Sequence, residues 1–442
     1  HYTSETNILK LIRPLFLDDL REEFERVKGN KDKLFEFHKK LNRLTFLDPA
    51  CGCGNFLVIS YRELRRLEVD VLRAAERFGQ RLGRVFQALK VDVDQFYGIE
   101  IEEFPAQVAQ VAMWLTDHQM NVEASEVFGE QVLRIPLEKS ANIRHGNALQ
   151  IDWAEFVPPV RLNYILGNPP FVGKQHQSNE QKLDLQTITE GVNNSGLLDY
   201  VAGWYVKTAR YLTTEKGFSD VVAQAASGRK QFKDVRFGKG ENAVADLFVD
   251  ADYVEVRARR AVKCGFVSTN SITQGEQVGV LWGWMLAQGI RIHFAHRTFQ
   301  WMNEAPGKAA VHCVIIGFAA FEPEKKRLFE YAVVKGEPHE LSARNINPYL
   351  VDAPDVVLDS RRDPILPVPP IIFGNMPNDD GNLLLSDEEC RTLLEAEPGA
   401  EKWVRQFVGA DDFLNGVPRW CLWLVDIPPT ELKRLPQVSA RV

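Results

Sequence analysis

The sequence predicts an α/β fold: a doubly wound parallel sheet with a terminal antiparallel strand pair, followed by the start of a second domain. Three observations carry this. Short apolar runs ending in Gly, Asp, Glu or Asn alternate with stretches of helical period. The 442 residues are 45% hydrophobic and 26% charged, an ordinary globular composition long enough for two or three domains. From about residue 322 the alternation gives way to proline- and turn-rich sequence.

The elements follow in order. Residues 8–24 place Ile8, Leu11, Ile12, Leu15 and Phe16 on one helical face, with Ser4 as the expected N-cap. A charged helical stretch continues to about Asn42. Residues 44–47 are the first strand, ending in Asp48-Pro-Ala-Cys-Gly-Cys-Gly-Asn55, and helical sequence resumes at Phe56. Residues 95–99 form the second strand, ending at Glu100, with a helix over about 105–118. Residues 142–145 form the third, ending in Gly146-Asn147. Residues 162–166 form the fourth, ending in Gly167-Asn-Pro-Pro-Phe171. Residues 197–212 are helical by period, and 262–268 form a fifth strand. Residues 291–299 and 309–321 read as two strands joined closely enough to pair antiparallel. The polar, charged stretch of about 213–260 reads as an insertion. The expected division is a first domain over 1–330 and a second over 331–442.

The net charge is −7. Net charge governs solubility and steering rather than local surface, so a basic cleft on an acidic body is compatible with it. The six cysteines form neither a C-x-x-C pair nor a zinc spacing, so no metal is expected, and reduced thiols fit a cytoplasmic protein. No apolar run reaches bilayer length and no secretory leader opens the chain. The start at His1 rather than Met suggests a fragment or a trimmed piece.

Chemistry concentrates at the strand ends. The glycines of Asp48 to Asn55 allow close backbone approach, and the following helix offers unpaired N–H groups. Asp48 at the strand tip can pair with an ammonium, which a pyrophosphate loop would avoid, so the amino-acid end of S-adenosylmethionine suits this turn better than a dinucleotide. Glu100 can accept from ribose hydroxyls; it is equally readable as a solvated carboxylate at a helix start. Asn147 can meet an adenine edge, or serve as a simple turn residue.

The turn Asn168-Pro169-Pro170-Phe171 suits attack by an exocyclic purine amine. Such an amine is a poor nucleophile because its lone pair is delocalised into the ring. Two acceptors on its hydrogens, the Asn168 side-chain oxygen and a backbone carbonyl of the turn, draw the nitrogen toward tetrahedral geometry. The prolines remove donors and fix φ, and Phe171 offers a flat face to an extruded base. The alternative for this string alone is a proline-rich turn. The span from Asp48 to Asn168 accommodates three strand–helix units of roughly 30 or more residues each, which makes these tips the ends of the first and fourth strands. Such strands lie side by side at the switch point of a doubly wound sheet. In His296-Arg-Thr-Phe299-Gln-Trp301, Phe299 and Trp301 can stack on the base from the other side, or simply pack at a strand end.

Together these residues resemble the motif set of the gamma-class amino-methyltransferases. The resemblance assigns cofactor contacts to Thr3, Asp48, Ala50, Gly52, Gly54, Asn55, Phe56, Glu100 and Asn147. It assigns chemistry to Asn168, Pro169, Pro170 and Phe171, and base stacking to Phe171, Phe299 and Trp301. The family usually has serine where Cys53 stands and often aspartate where Asn147 stands. The chain is further similar to the MmeI-like (type IIL) restriction–modification enzymes, in His1-Tyr-Thr-Ser-Glu5, Asp48 to Leu57, Gly167-Asn-Pro-Pro-Phe-Val-Gly173, Phe266 to Gly275, Ile346 to Asp352 and Arg419-Trp-Cys-Leu-Trp-Leu424. This similarity implies a Rossmann-like S-adenosylmethionine-dependent methyltransferase domain and the start of a target-recognition domain. It also implies duplex DNA with a flipped adenine as partner, and methylation at adenine N6 within a restriction–modification or phage-defence system. An upstream nuclease and the rest of the recognition domain are expected to lie outside this chain. The competing readings are methylation of a protein glutamine or an RNA amine, and a DNA-specificity piece that binds S-adenosylmethionine without turnover.

Overall fold

The computed structural model describes residues 4–78, 88–129, 140–157, 161–213, 262–301, 311–358, 366–369, 374 and 379–442, and the backbone of 232–237, 244–249 and 252–257. Two compact units divide the chain, His1–Ser360 and Arg361–Val442.

The first unit is built on a nine-stranded sheet. Its strands are β1 (Phe46–Asp48), β2 (Phe96–Glu100), β3 (Asn142–His145), β4 (Tyr164–Gly167), β8 (Lys263–Thr269), β9 (Arg291–Trp301), β10 (Val311–Ala319), β11 (Lys326–Glu330) and β12 (His339–Ala343). They lie in the order β12-β11-β9-β10-β8-β4-β1-β2-β3. The strands from β3 to β8 are parallel neighbours. β10 runs antiparallel between β8 and β9. The late pair is antiparallel as the sequence predicts, but it is not the sheet edge. β11 joins β9 in parallel and β12 adds antiparallel to β11, so the first unit extends past residue 330. β12 is almost wholly exposed, an edge strand without the apolar alternation that would announce it.

Both faces of the sheet are covered, so successive strand residues enter opposite cores. Phe46, Phe96, Tyr164 and Val267 pack on one side, with the helices that open the chain and with Asn55–Glu76. Leu47, Ile99, Ile165 and Phe266 pack on the other, with the helices Ala202–Thr213 and Glu276–Ala287. The stack of Phe46 on Phe96, ring centroids 4.7 Å apart, ties β1 to β2.

The opening helix differs from the single run expected. Helix Glu5–Ile12 passes into a π segment, Arg13–Leu17, before helix Asp18–Val27. Pro14 brings no N–H to the ladder, and Asp18 N–H reaches back to the Arg13 carbonyl, five residues away. Ile8, Leu11, Ile12, Leu15 and Phe16 are nonetheless all buried. Ser4 stands at the N-cap, yet its hydroxyl makes no capping bond; its carbonyl accepts from the Asn7 and Ile8 N–H groups.

Within the stretch expected as an insertion, β5 (Phe232–Phe237), β6 (Val244–Val249) and β7 (Asp252–Arg257) form a separate antiparallel sheet. In the second unit, β13 (Leu384–Ser386), β14 (Val404–Phe407) and β15 (Arg419–Leu422) form a small sheet in the order β13-β15-β14. Beside it, helix Asp387–Ala396 is capped reciprocally by Ser386 and Glu389. No helix among the described residues is long and apolar enough to cross a membrane.

Candidate active site

β1 and β4 are direct neighbours, with Phe46 opposite Tyr164 and Leu47 opposite Ile165. Asp48 and Asn168 therefore emerge side by side at the carboxyl ends of the strands. Asp48 is fully buried. Its Oδ1 accepts from Ala50 N–H at 3.0 Å, while Oδ2 is buried with no hydrogen-bond partner. Burial lifts its carboxyl to about 8, and the charge of Glu100 adds to this. Asn168 Oδ1 is likewise buried and unpartnered. Two unsatisfied acceptors on adjacent strand tips are costly unless donors arrive. A cationic amine at one and an amine hydrogen at the other fit them.

The glycine turn is held from both sides. Gly52 and Gly54 adopt φ of +53° and +85°, the left-handed region that side chains disfavour. Gly54 also lies where a Cβ would come within 3.1 Å of Ala109 Cβ. Gly52 N–H donates to Glu100 Oε2 at 2.8 Å, and Glu100 Oε1 accepts from Glu102 N–H at 3.0 Å. Glu100 thus braces the turn while each oxygen keeps a free lone pair. Trp204 Nε1 donates to the Pro49 carbonyl at 3.0 Å, pinning the turn to helix Ala202–Thr213. Ala50 and Asn55 are half-buried on this turn, and Phe56 is buried beneath it.

The β3 tip joins the β2 tip through Gly146 N–H and the Glu100 carbonyl, 2.7 Å. There the Asn147 amide donates to Asp184 at 2.7 Å and accepts from Leu149 N–H at 2.9 Å. Lys207 donates to the carbonyls of Leu149 and Ile151, 2.7 Å each, and fastens this loop from below. Pro169 is buried, Pro170 exposed, and Phe171 half-buried at the seam of the two cores. The backbone just beyond is clamped by Tyr200 N–H to the Val172 carbonyl, 2.9 Å, and by Lys174 N–H to Asp199 Oδ1, 2.9 Å.

Not every expected residue joins this cluster. Phe299 is 1% exposed; its ring stacks on Tyr331 at 5.2 Å, with the Lys10 ammonium 4.8 Å from its centroid. It is a core ring here: the register shifts by one residue between the His296–Ile315 and Phe299–Cys313 pairs, and this bulge in β9 turns Phe299 to the same face as Phe294. Thr3 and the Trp301 side chain lie outside the described residues. Asp184, Tyr200, Trp204 and Lys207 complete the site and were not anticipated. Trp204 and Lys207 stand about one helical turn apart, the spacing that marks them as one face.

A doubly wound sheet of this strand order, with an acidic glycine turn ending its first strand and Asn-Pro-Pro-Phe ending its fourth, defines a Rossmann-like methyltransferase fold. Residues 24–233 and 222–330 match the family described as MmeI, DNA-methyltransferase domain. Residues 352–442 match the MmeI target recognition domain. The chain belongs to the MmeI DNA-methyltransferase family. It is similar to DNA methyltransferase A of Bacillus subtilis (strain 168), 35% identical over all of this chain and 45% of that protein. It is also similar to the solved structure of the type IIL restriction–modification enzyme MmeI in complex with DNA, 50% identical with a TM-score of 0.82, over all of this chain and 53% of that one. The chain spans about half the length of both relatives.

Proposed function

We propose that this chain transfers a methyl group from S-adenosylmethionine to the N6 amine of an adenine extruded from duplex DNA, in the cytoplasm, as the modification part of a restriction–modification or phage-defence system. The observation that carries this reading is the pair of buried, unpartnered acceptors, Asp48 Oδ2 and Asn168 Oδ1, on neighbouring strand tips. The family match supports DNA methylation, and the second unit supplies a domain of the target-recognition type.

In this reading Asp48 accepts from the cofactor's ammonium, Glu100 from its ribose hydroxyls, and Asn147 meets its adenine. S-adenosylmethionine, when bound, supplies an electrophilic methyl on a sulfonium. Asn168 Oδ1 and a backbone carbonyl of the proline turn accept the two hydrogens of the target amine and localise its lone pair. The fixed φ of Pro169 and Pro170 keeps that carbonyl aimed, and Phe171 stacks on the extruded base. The methylated amine then releases one proton. No base is needed before attack.

The test offers tritiated S-adenosylmethionine to the chain with duplex DNA, transfer RNA and a glutamine-bearing protein substrate side by side. Label appearing at adenine N6 in DNA, and lost in Asn168→Ala, is the expected result. Label on RNA or protein instead, or undiminished transfer by Asn168→Ala, overturns the reading. Binding of S-adenosylmethionine with no transfer to any DNA would make the chain a specificity piece.

A further inference from the structure

Asp184 is the hub of a network that no motif marks. Its side chain is nine-tenths buried and accepts three hydrogen bonds: from Asn147 Nδ2 at 2.7 Å, Gln150 Nε2 at 2.8 Å and the Tyr200 hydroxyl at 3.0 Å. An asparagine amide can ordinarily invert, exchanging donor for acceptor at little cost. At Asn147 it cannot. Inversion would set Oδ1 against the Asp184 carboxylate and the NH2 group against Leu149 N–H, two repulsive contacts in place of two hydrogen bonds. The identity of both neighbours fixes the amide, since a carboxylate only accepts and a backbone N–H only donates.

We propose that Asp184 is a positioning residue for the cofactor's adenine: it locks the Asn147 amide so that the carbonyl oxygen, with its remaining lone pair, is the acceptor offered to the exocyclic amine of the purine. The inference rests on the role given to Asn147 above. The locked carbonyl presents a fixed acceptor without a second buried charge beside Asp184. Tyr200 extends the lock. Its hydroxyl holds Asp184 while its backbone N–H holds Val172, next to Phe171, so one residue braces both the adenine loop and the loop of the target amine.

The test measures binding to the whole chain by calorimetry, with S-adenosylhomocysteine and with its inosine counterpart, in which a carbonyl replaces the exocyclic amine. The parent should prefer the adenine form by at least about tenfold, the worth of one satisfied against one opposed hydrogen bond. In Asp184→Asn the carboxylate that opposes inversion is gone and only Leu149 N–H still holds the amide, so the preference should fall by about threefold or more. The double variant Asn147→Asp with Asp184→Asn restores a fixed acceptor and should recover the parent's preference, which a purely structural role for Asp184 does not predict. Should Asp184→Asn fail to fold, the double variant alone decides: a lost preference there overturns the inference. So does an unchanged preference in folded Asp184→Asn. If the parent binds neither ligand, the cofactor reading falls along with this one; if it binds both equally, only the inference falls.

Discussion

A Cβ at Gly167 would lie 2.5 Å from Asp48 Oδ1, so the residue that precedes Asn168 owes its lack of a side chain to the carboxylate on the neighbouring strand. Gly167→Ala forces either the carboxylate or the Asn-Pro-Pro turn to move. Cofactor affinity and methyl transfer should both fall by at least about tenfold, roughly 1.4 kcal/mol each. Calorimetry and tritium transfer check this; a folded variant with both values unchanged contradicts the side-by-side placement.

Asn168→Ala should separate binding from chemistry. In the proposed reading its oxygen accepts from the target amine rather than from the cofactor, so kcat should drop on the order of 100- to 1,000-fold, the range for one preorganised polar group. The Kd for S-adenosylmethionine should stay within about threefold. A loss of cofactor binding equal to the loss of rate would assign Asn168 to the cofactor instead.

The pH response of Asp48 has a definite sign. Burial first, then Glu100, raises its folded carboxyl from 3.8 to about 8. Its contribution to stability is present in full below the unfolded value and is lost as pH rises toward 8. Without ligand, Asp48→Asn should therefore gain melting temperature relative to the parent as pH rises from about 5 to 8. Ligand binding runs the other way in the proposed reading, in which the cofactor's ammonium pairs with the ionised carboxylate. Affinity for S-adenosylmethionine should weaken in the parent from about pH 7.5 to 6, and Asp48→Asn should lose that slope. Parallel pH profiles for parent and variant would argue against the pairing.

Glu68 offers a stability test remote from the site. Fully buried, it accepts from His38 Nε2 at 2.9 Å, Arg65 at 3.0 Å, and the N–H groups of Lys90 and Val91 at 2.6 and 2.9 Å. Glu68→Gln leaves the buried Arg65 without its carboxylate and should cost about 3 kcal/mol or more. Denaturant melts would report this, and cofactor affinity of the folded fraction should be unchanged.

The sequence carries the strand tips plainly and their surroundings poorly. Asp48, Glu100 and Asn168 are legible as strand tips because each follows an apolar run, and Asn147 because it follows a short strand closed by Gly146; the order of such strands in a doubly wound sheet decides which tips meet. The strand over 142–145 is found at the residues expected. Asp184 is not legible: a carboxylate on a polar helix reads as a solvated face until Asn147, Gln150 and Tyr200 close over it. Phe299 is misplaced for a related reason. Its motif puts it near the target base, but which face of β9 it occupies depends on a bulge between His296 and Phe299 that the sequence pattern does not announce.

Among the described residues, the one sheet strand of the first unit past residue 330, β12, bears on how the catalytic unit can be dissected. A fragment ending at 330 would strip β12 from β11 and bare a row of backbone donors and acceptors beside Leu328 and Phe329, a template for strand exchange between molecules. Such a fragment should self-associate, whereas one ending at 358 keeps the capping strand and the Asn347 turn that follows it.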